Sequence, residues 1–469
     1  MRASTIAERQ AAGRAVREHS KRSSHRSVGD LQRDPLDLLR LASEGRIERL
    51  VPLRYGRMAA SPFAFFRGSA ILQAHDLGQV PHTGLVTPIC GDAHLLNFAG
   101  FATPERQIVF DLNDFDEAAP GPFEWDLKRL AASLVLAARH MRLSRGAADE
   151  LVMTAADEYR ERIAQYAERG ALELWYDRIT FDRMIESALA PEHRRAIRRG
   201  MEKAAARTHE SMLESAAERE GDAWRIRTQS PALFHIGEAG ALFDAGDDGR
   251  AADNGQKAAE RLYADYQKTL APERRELLGQ FALQDSVFKI ADDGSVGARC
   301  LVLLATDHHD RPLFLQVKEA HRSAVAQSFA AAAPRHEGER VVHAQRLLQA
   351  ASDLFLGWAT GPSGRPFYVR QLNDVKLSAA LEQFDSSVLQ GYARLCGWAL
   401  ARAHARASGK AIELAAYIGR SDPFPEALTA YACAYADQVE RDYERFVNAC
   451  RRGELDARTD DEVAAALRA

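Results

Sequence analysis

The chain has 469 residues, of which 46% are hydrophobic, and a formal net charge of -4. A chain of this length buries a large core and is too long for one small domain. A charge so close to balance excludes the broad electrostatic surface of a general nucleic-acid or membrane-binding protein.

Cysteine usage and the lack of long apolar runs predict a cytoplasmic protein. The five cysteines are widely spaced and form no C-x-x-C motif, so we expect reduced thiols rather than zinc ligands or disulfides. No apolar run approaches the ~20 residues that span a bilayer, and the N-terminus lacks the apolar core of a secretory signal. We therefore expect neither a membrane nor a nucleic-acid partner, and the sequence does not indicate an oligomeric state.

The first 68 residues are predicted to be largely helical. Residues 1–50 are rich in charge, and Ser61-Pro62 is typical of a helix start with proline at the first helical position. Residues 54–68 are aromatic and basic, which makes them one candidate wall of a substrate pocket. Residues 146–220, which the pattern predicts to be helical throughout and strongly charged, are the other.

Between these two regions, strand-like runs at residues 84–89 and 107–112 each end directly before a group of polar side chains. Strand ends followed by loops are where folds display reactive groups. The side chains displayed here are Asp92, Asn97, Asp114 and Asp116. Apolar residues at helical spacing follow Trp125, which places Asp126 in the first turn of a helix.

A β-rich module at residues 283–375 interrupts an otherwise helical chain. A Gly- and Asp-rich loop and two helices, at residues 256–270 and 272–282, precede it. Within it, strands are predicted at residues 286–290, 298–304, 313–318 and 366–372, with a helix at 338–354. The remainder is helical, chiefly at residues 389–407 and 425–452. We therefore divide the chain into residues 1–282, 283–375 and 376–469.

The residue types of the β-rich module and of the acidic region before it suit the binding and transfer of phosphate groups. The turn that joins the first two strands of the module contains Gly294, Ser295, Val296 and Gly297. Glycine allows backbone amides to approach phosphate oxygens closely, and Lys318 on a neighbouring strand adds a positive charge. A carboxylate near an attacking hydroxyl, with an Asn and an Asp to hold Mg²⁺, is what phosphoryl transfer needs.

Three motifs follow one another in the acidic region: Gly91-Asp92-x-His94-x-x-Asn97, Asp114-Phe115-Asp116 and Glu124-Trp125-Asp126. Together they resemble the catalytic half of aminoglycoside and choline phosphotransferases, a branch of the protein-kinase-like superfamily. The resemblance implies a base at Asp92, metal ligands at Asn97 and Asp114, and a loop that Asp126 braces and His94 stabilises. We expect Asp116 to be a third metal ligand.

The same resemblance implies that the β module holds ATP. The turn at residues 294–297 resembles the glycine-rich loop, and Lys318 resembles the lysine that pairs with the phosphates. The strand at residues 366–373, with Arg370 and Gln371, resembles the one that leads into the adenine-binding hinge. The implied cofactors are ATP and Mg²⁺.

The order of these parts differs from that of an ordinary kinase. The glycine turn and Lys318 come about two hundred residues after the catalytic motif instead of before it. The helix at residues 389–407 resembles the one that normally runs into the catalytic loop. A circular permutation explains this order, since such rearrangements are tolerated where chain ends lie close on the surface. The expected fold is α+β: a circularly permuted, bilobal kinase-like fold with a largely helical C-lobe and a small antiparallel N-lobe sheet.

A second resemblance is carried by the blocks that begin at Gly91 and Asp111 and by residues 61–68, 294–297, 316–320 and 367–371. With these segments the sequence resembles, over nearly its whole length, an uncharacterised bacterial family, domain-of-unknown-function family 2252, which implies no substrate. The chain departs from the kinase-like pattern at three points. Cys90 replaces a histidine, Asp292 replaces the first glycine of the turn, and the helix at residues 338–354 has no obvious glutamate to pair with Lys318.

The resulting expectation is an ATP- and Mg²⁺-dependent phosphotransferase that acts on an unidentified small-molecule or protein hydroxyl. Two alternatives stay open. One is a nucleotide-binding pseudokinase that acts as a sensor or scaffold, which the departure at Asp292 favours. The other is a nucleotidyl transferase that moves AMP to a protein hydroxyl.

Overall fold

The computed structural model describes residues 4–188, 209–221, 223–229, 232–235, 252–290, 293–329, 332–361, 363–372, 376–377 and 381–468. These residues form an α+β protein, as predicted, with many helices and several small antiparallel sheets. All five cysteines are free. No helix in the described ranges is both long and apolar enough to cross a bilayer.

The helices, numbered in chain order, are α1 Ile6–His19, α2 Pro35–Leu41, α3 Val51–Met58, α4 Pro62–Gly68, α5 Ala70–Gly78, α6 Phe123–His140, α7 Arg145–Tyr166, α8 Ala171–Tyr176, α9 Phe181–Ala188, α10 His209–Ala216, α11 Ala252–Lys268, α12 Pro272–Leu278, α13 Ala324–Ser328, α14 Glu337–Leu348, α15 Ser386–Ser408, α16 Ala411–Ile418, α17 Pro423–Arg451 and α18 Asp460–Arg468. Short 3-10 turns lie between some of them, and two of these, Leu95–Asn97 and Asp293–Ser295, matter for the site.

The strands are β1 Val86–Ile89, β2 Phe98–Ala102, β3 Ile108–Leu112, β4 Ala119–Pro122, β5 Ala217–Glu220, β6 Ala223–Ile226, β7 Leu233–Phe234, β8 Ala282–Lys289, β9 Cys300–Thr306, β10 Pro312–Glu319, β11 Gly357–Thr360, β12 Pro366–Gln371 and β13 Lys376–Leu377.

Helix α6 lies at the centre of the helical core. Its residues are buried from the first to the sixteenth, because α4, α7, α15 and α17 all pack around it. Helices α7 and α15 make the most extensive helix pair, and Gly397 allows their close approach. A Cβ at Gly397 would lie 2.3 Å from the carbonyl oxygen of Ala155, so only glycine fits there.

The β module forms a six-stranded antiparallel sheet in the order β11-β12-β10-β9-β8-β7. Central strand β10 is buried along its whole length, including its polar residues Gln316, Lys318 and Glu319. Lys318 lies near its end, opposite Cys300 on one side and Tyr368 on the other. Strand β7 joins this sheet from outside the range 283–375.

Two smaller sheets bring the acidic motifs together. Strands β1 and β4 pair so that Ile89 lies opposite Ala119, and β2 and β3 form a hairpin in which Phe98 lies opposite Leu112. Strand β13, which follows the six-stranded sheet in sequence, pairs with β2. The chain therefore passes directly from the lysine-bearing sheet to the hairpin that ends at the second acidic motif.

Most of the predicted elements are confirmed, with ends shifted by a few residues. Ser61 caps α4 as predicted, since its side chain accepts a hydrogen bond from the N–H of Ala64. The predicted helix throughout residues 146–220 is wrong in part, because residues 177–180 are not helical and Ala217–Glu220 is a strand paired with β6. Residues 189–208 of this prediction lie outside the described residues. Asp292, Asn373 and most of the Gly- and Asp-rich loop lie outside the described residues.

Candidate functional site

Asp126, in the first turn of α6, fixes the loop that follows β1. Its fully buried carboxylate accepts hydrogen bonds from the backbone N–H groups of Cys90 (2.7 Å) and Gly91 (2.8 Å). His404 Nε2 lies 3.2 Å from the same carboxylate, and His404 Nδ1 lies 2.8 Å from the hydroxyl of Tyr159. Buried hydrogen bonds of this kind are strong because water cannot compete for them. The contacts fit the bracing role implied for Asp126.

Cys90 joins this loop to the second acidic motif. Its Sγ donates to the carbonyl oxygen of Asp114 over 3.0 Å. Burial, with the negative charges of Asp126 and Asp92, raises the pKa of the Cys90 thiol well above its usual value, so the sulfur keeps the proton that it donates. The thiol thus supplies a contact of its own at the position where the kinase-like pattern has histidine.

Gly91 lies in the left-handed region of the backbone that favours glycine, with a φ of 79°. A Cβ there would lie 2.2 Å from the carbonyl oxygen of Glu117. We expect Gly91→Ala to lower the free energy of unfolding by about 2–4 kcal/mol, because backbone strain and overpacking add. Gly84→Ala is the matched control: φ is 71° there, but nothing lies within 4 Å of the added atom. Denaturant titration should show a loss of only about 1 kcal/mol for the control, and equal losses would contradict the packing argument.

Asp92 and Asn97 are held in a fixed relation at the edge of a cavity. Arg129 Nε donates to Asp92 Oδ1 over 2.8 Å, and Arg129 also donates to the carbonyl oxygen of Phe66 over 2.7 Å. Asn97 Nδ2 donates to the backbone carbonyl of Asp92 over 2.6 Å. Because the nitrogen of the amide is used in this way, the oxygen is the atom of this side chain that remains for binding a ligand.

Asp114 and Asp116 follow β3 and meet Lys318 from the six-stranded sheet. Lys318 Nζ donates to Asp116 Oδ2 and lies 3.9 Å from Asp114 Oδ2. Ser295 Oγ donates to Asp116 Oδ2 over 3.4 Å. The other oxygen, Asp116 Oδ1, is buried and accepts no hydrogen bond from the described residues. Residues 202 positions apart in the chain thus form one ion cluster.

The pKa shifts of this cluster show how its charges depend on one another. Burial, and then the charge of Asp116, raises the pKa of Asp114. Burial opposes ionisation of Asp116 as well, but the charge and hydrogen bond of Lys318 outweigh it and hold the pKa of Asp116 below its usual value. Burial alone would lower the pKa of Lys318, yet the two carboxylates raise it well above its usual value. Lys318 is therefore a permanent cation here.

Helix α14 supplies no partner to Lys318. Glu337 pairs instead with Arg340 over 2.6 Å, and Arg340 donates to the carbonyl oxygens of Asp116 and Ala118. The acid that contacts Lys318 most closely among the described residues is therefore Asp116, from the loop after β3.

The glycine turn contributes only part of its predicted residues to the cavity. Gly294 and Ser295 line it, whereas Val296 is fully buried in an apolar cluster with Ile47 and Leu50. Gly297 has a φ of 87° and accepts a hydrogen bond at its carbonyl oxygen from the N–H of Ile47. Val296 and Gly297 thus anchor the turn to the N-terminal segment.

One cavity of about 240 Å³ unites most of the predicted site residues. Those that line it are Asp92, Asn97, Asp114, Asp116, Gly294, Ser295, Lys318 and Arg370. Gln371 instead lines a second cavity of about 180 Å³, and Arg370 borders both. Arg370 donates to Gln316 Oε1 over 2.9 Å and to the carbonyl oxygen of Asn113 over 3.2 Å.

Sequence reasoning missed several cationic residues at the cavity and one acid. The basic residues Arg46, Lys289 and Arg322 line it, yet in sequence they look like ordinary charged surface positions. A signal existed for Arg129, because it lies one helical turn after Asp126 on the face toward the loop.

Glu117 is the missed acid, and burial raises its pKa to about 7. Its Oε2 accepts a hydrogen bond from the N–H of Ala324 over 2.5 Å. Because the folded-state pKa lies above the ordinary value of 4.5, the stability that Glu117 contributes is fully present below about pH 4.5 and is lost as the pH rises through 7. The loss is at most about 3 kcal/mol, at 1.36 kcal/mol per pKa unit.

We expect Glu117→Gln to remove this pH dependence, because glutamine keeps the acceptor but cannot ionise. Urea titrations give the free energy of unfolding of both proteins at pH 5 and pH 8. The value for the variant, relative to that of the wild type, should be about 2–3 kcal/mol higher at pH 8 than at pH 5. An unchanged difference between the two proteins at both pH values would contradict the raised pKa.

The donor set suits a magnesium ion that arrives with a polyphosphate. Within the described ranges, no group of three or more His, Cys, Asp or Glu side chains has an arrangement that holds a metal by itself. Mg²⁺ commonly binds through one or two carboxylates and completes its shell with phosphate oxygens and water. Asp114, the amide oxygen of Asn97 and the unpaired Oδ1 of Asp116 fit that need.

The fold and site together define a class: an α+β protein in which a lysine-bearing antiparallel sheet and two acidic loops enclose one polar cavity. The chain matches the model of a family described as an uncharacterized protein conserved in bacteria, DUF2252, over residues 46–449, and it belongs to that family. Neither the curated proteins nor the solved structures gave a significant match.

Proposed function

We propose that the protein is an ATP- and Mg²⁺-dependent phosphotransferase with a circularly permuted, kinase-like arrangement. The observation that carries this proposal is the meeting of Lys318 with Asp114 and Asp116 at the cavity that also contains Asp92. A merely structural ion pair would not need Asp92 and Asn97 beside it in one opening. The combination of a buried cation, a carboxylate base and oxygen ligands is what phosphoryl transfer uses.

In this proposal each side chain has one task. Asp92, oriented by Arg129, accepts the proton of the acceptor hydroxyl as its oxygen forms a bond to the γ-phosphorus and the bond to the ADP oxygen breaks. Lys318 and the amides of the turn that includes Gly294 hold the phosphates. Asn97 and Asp114 would hold Mg²⁺, which neutralises charge on the transferring phosphoryl group.

The C-terminal helices support the permuted arrangement. Helix α15 runs beside the catalytic loop: the hydroxyl of Tyr392 donates to the carbonyl oxygen of Phe98, and His404 contacts Asp126. A helix in this relation to a catalytic loop is expected if it once preceded that loop in the chain. The lobes are then the six-stranded sheet with α14 and the helical body around α6.

A nucleotide-binding pseudokinase is the second candidate, and one observation favours it. Lys318 is held by Asp116 and not by a glutamate of α14. If the Lys318–Asp116 ion pair persists when nucleotide is bound, Lys318 binds the phosphates weakly because its charge is already neutralised. The protein then binds ATP without turnover.

Tracing the two ends of the triphosphate separates the candidates. The protein is incubated with Mg²⁺ and ATP labelled either at the α- or at the γ-phosphorus, with a metabolite extract as the source of acceptors. Label from the γ-position on a product supports the proposal. Label from the α-position would replace it with nucleotidyl transfer, and tight ATP binding without transfer of either label would replace it with the pseudokinase.

A further inference from the structure

One wall of the cavity carries positive charge that no carboxylate of the described residues neutralises by direct contact. Lys318 pairs with Asp116, and Arg370 bonds to Gln316 and to the carbonyl oxygen of Asn113. Four further cations at the cavity form no ion pair with a described acid: Arg46, Arg54, Lys289 and Arg322.

The two arginines of the N-terminal segment bond only to neutral groups. Arg46 donates to the carbonyl oxygens of Ala42 (2.9 Å) and Val296 (2.8 Å). Arg54 is 2% exposed; it donates to Ser43 Oγ (3.0 Å) and to the carbonyl oxygen of Gly68 (2.7 Å), and its Nε has no hydrogen-bond partner among the described residues. Burying unpaired charge costs several kcal/mol per ion by the usual estimate, so an anionic partner is expected.

Part of this wall connects to Asp92 through helix α4, and part of it lies beside the glycine turn, where Arg46 donates to the carbonyl oxygen of Val296. Arg129 bonds both to Asp92 and to the carbonyl oxygen of Phe66 in α4. Arg54 donates a hydrogen bond to the carbonyl oxygen of Gly68, the last residue of the same helix. The end of α4 is also close to the glycine turn, since a Cβ at Gly294 would lie 3.4 Å from the carbonyl oxygen of Arg67. Helix α4 thus extends from the proposed base to the phosphate turn, which is where an acceptor must lie.

We propose that the acceptor carries an oxyanion, a phosphate or a carboxylate, in addition to the hydroxyl that is phosphorylated, and that Arg46, Arg54, Lys289 and Arg322 bind it. This inference rests on the proposed function, because it assigns the second substrate of the same site. A neutral or cationic acceptor would leave the buried guanidinium group of Arg54 without a counter-charge.

Inorganic phosphate is the probe for this site. It is titrated calorimetrically into the full chain saturated with Mg²⁺ and the non-hydrolysable β,γ-imido analogue of ATP, so that the nucleotide's own phosphate positions are filled. Lys289→Gln with Arg322→Gln is the main variant, since neither side chain makes an ion pair among the described residues. Arg49→Gln is the matched control, because Arg49 is exposed and lies outside the cavity lining.

The wild type should bind one phosphate together with the nucleotide analogue, and the double variant should bind it at least tenfold more weakly, with the control unchanged. Arg46→Gln should weaken phosphate binding, and Arg46→Lys should restore part of it if charge rather than backbone contact matters. Acetate in place of phosphate shows whether a carboxylate suffices.

Phosphate that binds only without nucleotide, or not at all, would overturn the inference while leaving the proposed function intact. A chain that binds phosphate but not the ATP analogue would instead overturn the proposed function, and with it the assignment of this wall to an acceptor. Equal weakening in the Arg49→Gln control would show a nonspecific charge effect and would also overturn the inference.

Discussion

Asp92→Asn should lower the rate of phosphoryl transfer about a thousandfold, within the range that general bases contribute. Asparagine keeps an oxygen for Arg129 Nε, which now lies 2.8 Å from Asp92 Oδ1, but it cannot accept the proton of the acceptor hydroxyl. The change leaves Lys318, Asp114 and the glycine turn untouched. We therefore expect the dissociation constant for MgATP to change less than about threefold, since a pure base contributes to the transition state and not to ground-state binding.

The measurement is single-turnover transfer of the γ-phosphoryl group, with nucleotide affinity determined calorimetrically on the same protein samples. Asp437→Asn is the control, because the Asp437 side chain is 54% exposed and pairs with Arg139 at the surface. If Asp92→Asn kept more than a tenth of the wild-type rate, Asp92 would not be the base. If it lost nucleotide binding as well, its role would be structural.

Asp126→Ala should destabilise the fold by about 3–5 kcal/mol. Asp126 is fully buried, and its removal leaves the N–H groups of Cys90 and Gly91 and the ring of His404 without their acceptor. An unsatisfied buried donor costs about 1–3 kcal/mol, and loss of one member of a buried charged network costs about 3–5.

Denaturant titration followed by far-ultraviolet circular dichroism measures this loss. Asp437→Ala is the matched control and should lose less than about 1 kcal/mol, as exposed ion pairs do. Comparable losses in the two variants would show that the bonds of Asp126 to the loop after β1 contribute little to stability.

Local sequence patterns predicted the strands and the helix that carry or precede the residues of the candidate site. The strands before Asp92 and Asp114, the strand that carries Lys318 and the helix that begins near Asp126 are all confirmed as elements. Each rests on a short-range signal, the alternation or run of apolar residues followed by polar ones, which depends little on distant parts of the chain. The α+β class follows from the same signals.

The contacts between distant segments were not predictable in this way. Arg46 reaches the carbonyl oxygen of Val296, 250 residues further along, and no local pattern marks either residue. The turn at residues 294–297 suggested four phosphate-facing positions, but a valine in a turn prefers an apolar pocket, and Val296 finds one beside Ile47.

Strand β11 was missed for a related reason. Its four residues, Gly357–Thr360, include only one β-branched side chain, so its pairing with β12 rather than its own propensity makes it a strand. In the same way, Ala217–Glu220 looks helical in sequence and becomes a strand through its pairing with β6.

The proposed function requires that the phosphates of ATP bind between Lys318 and Asp114. The most direct test is a crystal structure of the full chain with Mg²⁺ and the β,γ-imido analogue of ATP. We expect a triphosphate within hydrogen-bond distance of Lys318 Nζ, a magnesium ion bound by Asp114 and Asn97, and the γ-phosphate facing Asp92. A nucleotide bound elsewhere, or a triphosphate in this cavity that leaves the Lys318–Asp116 ion pair intact and the metal ligands empty, would contradict it.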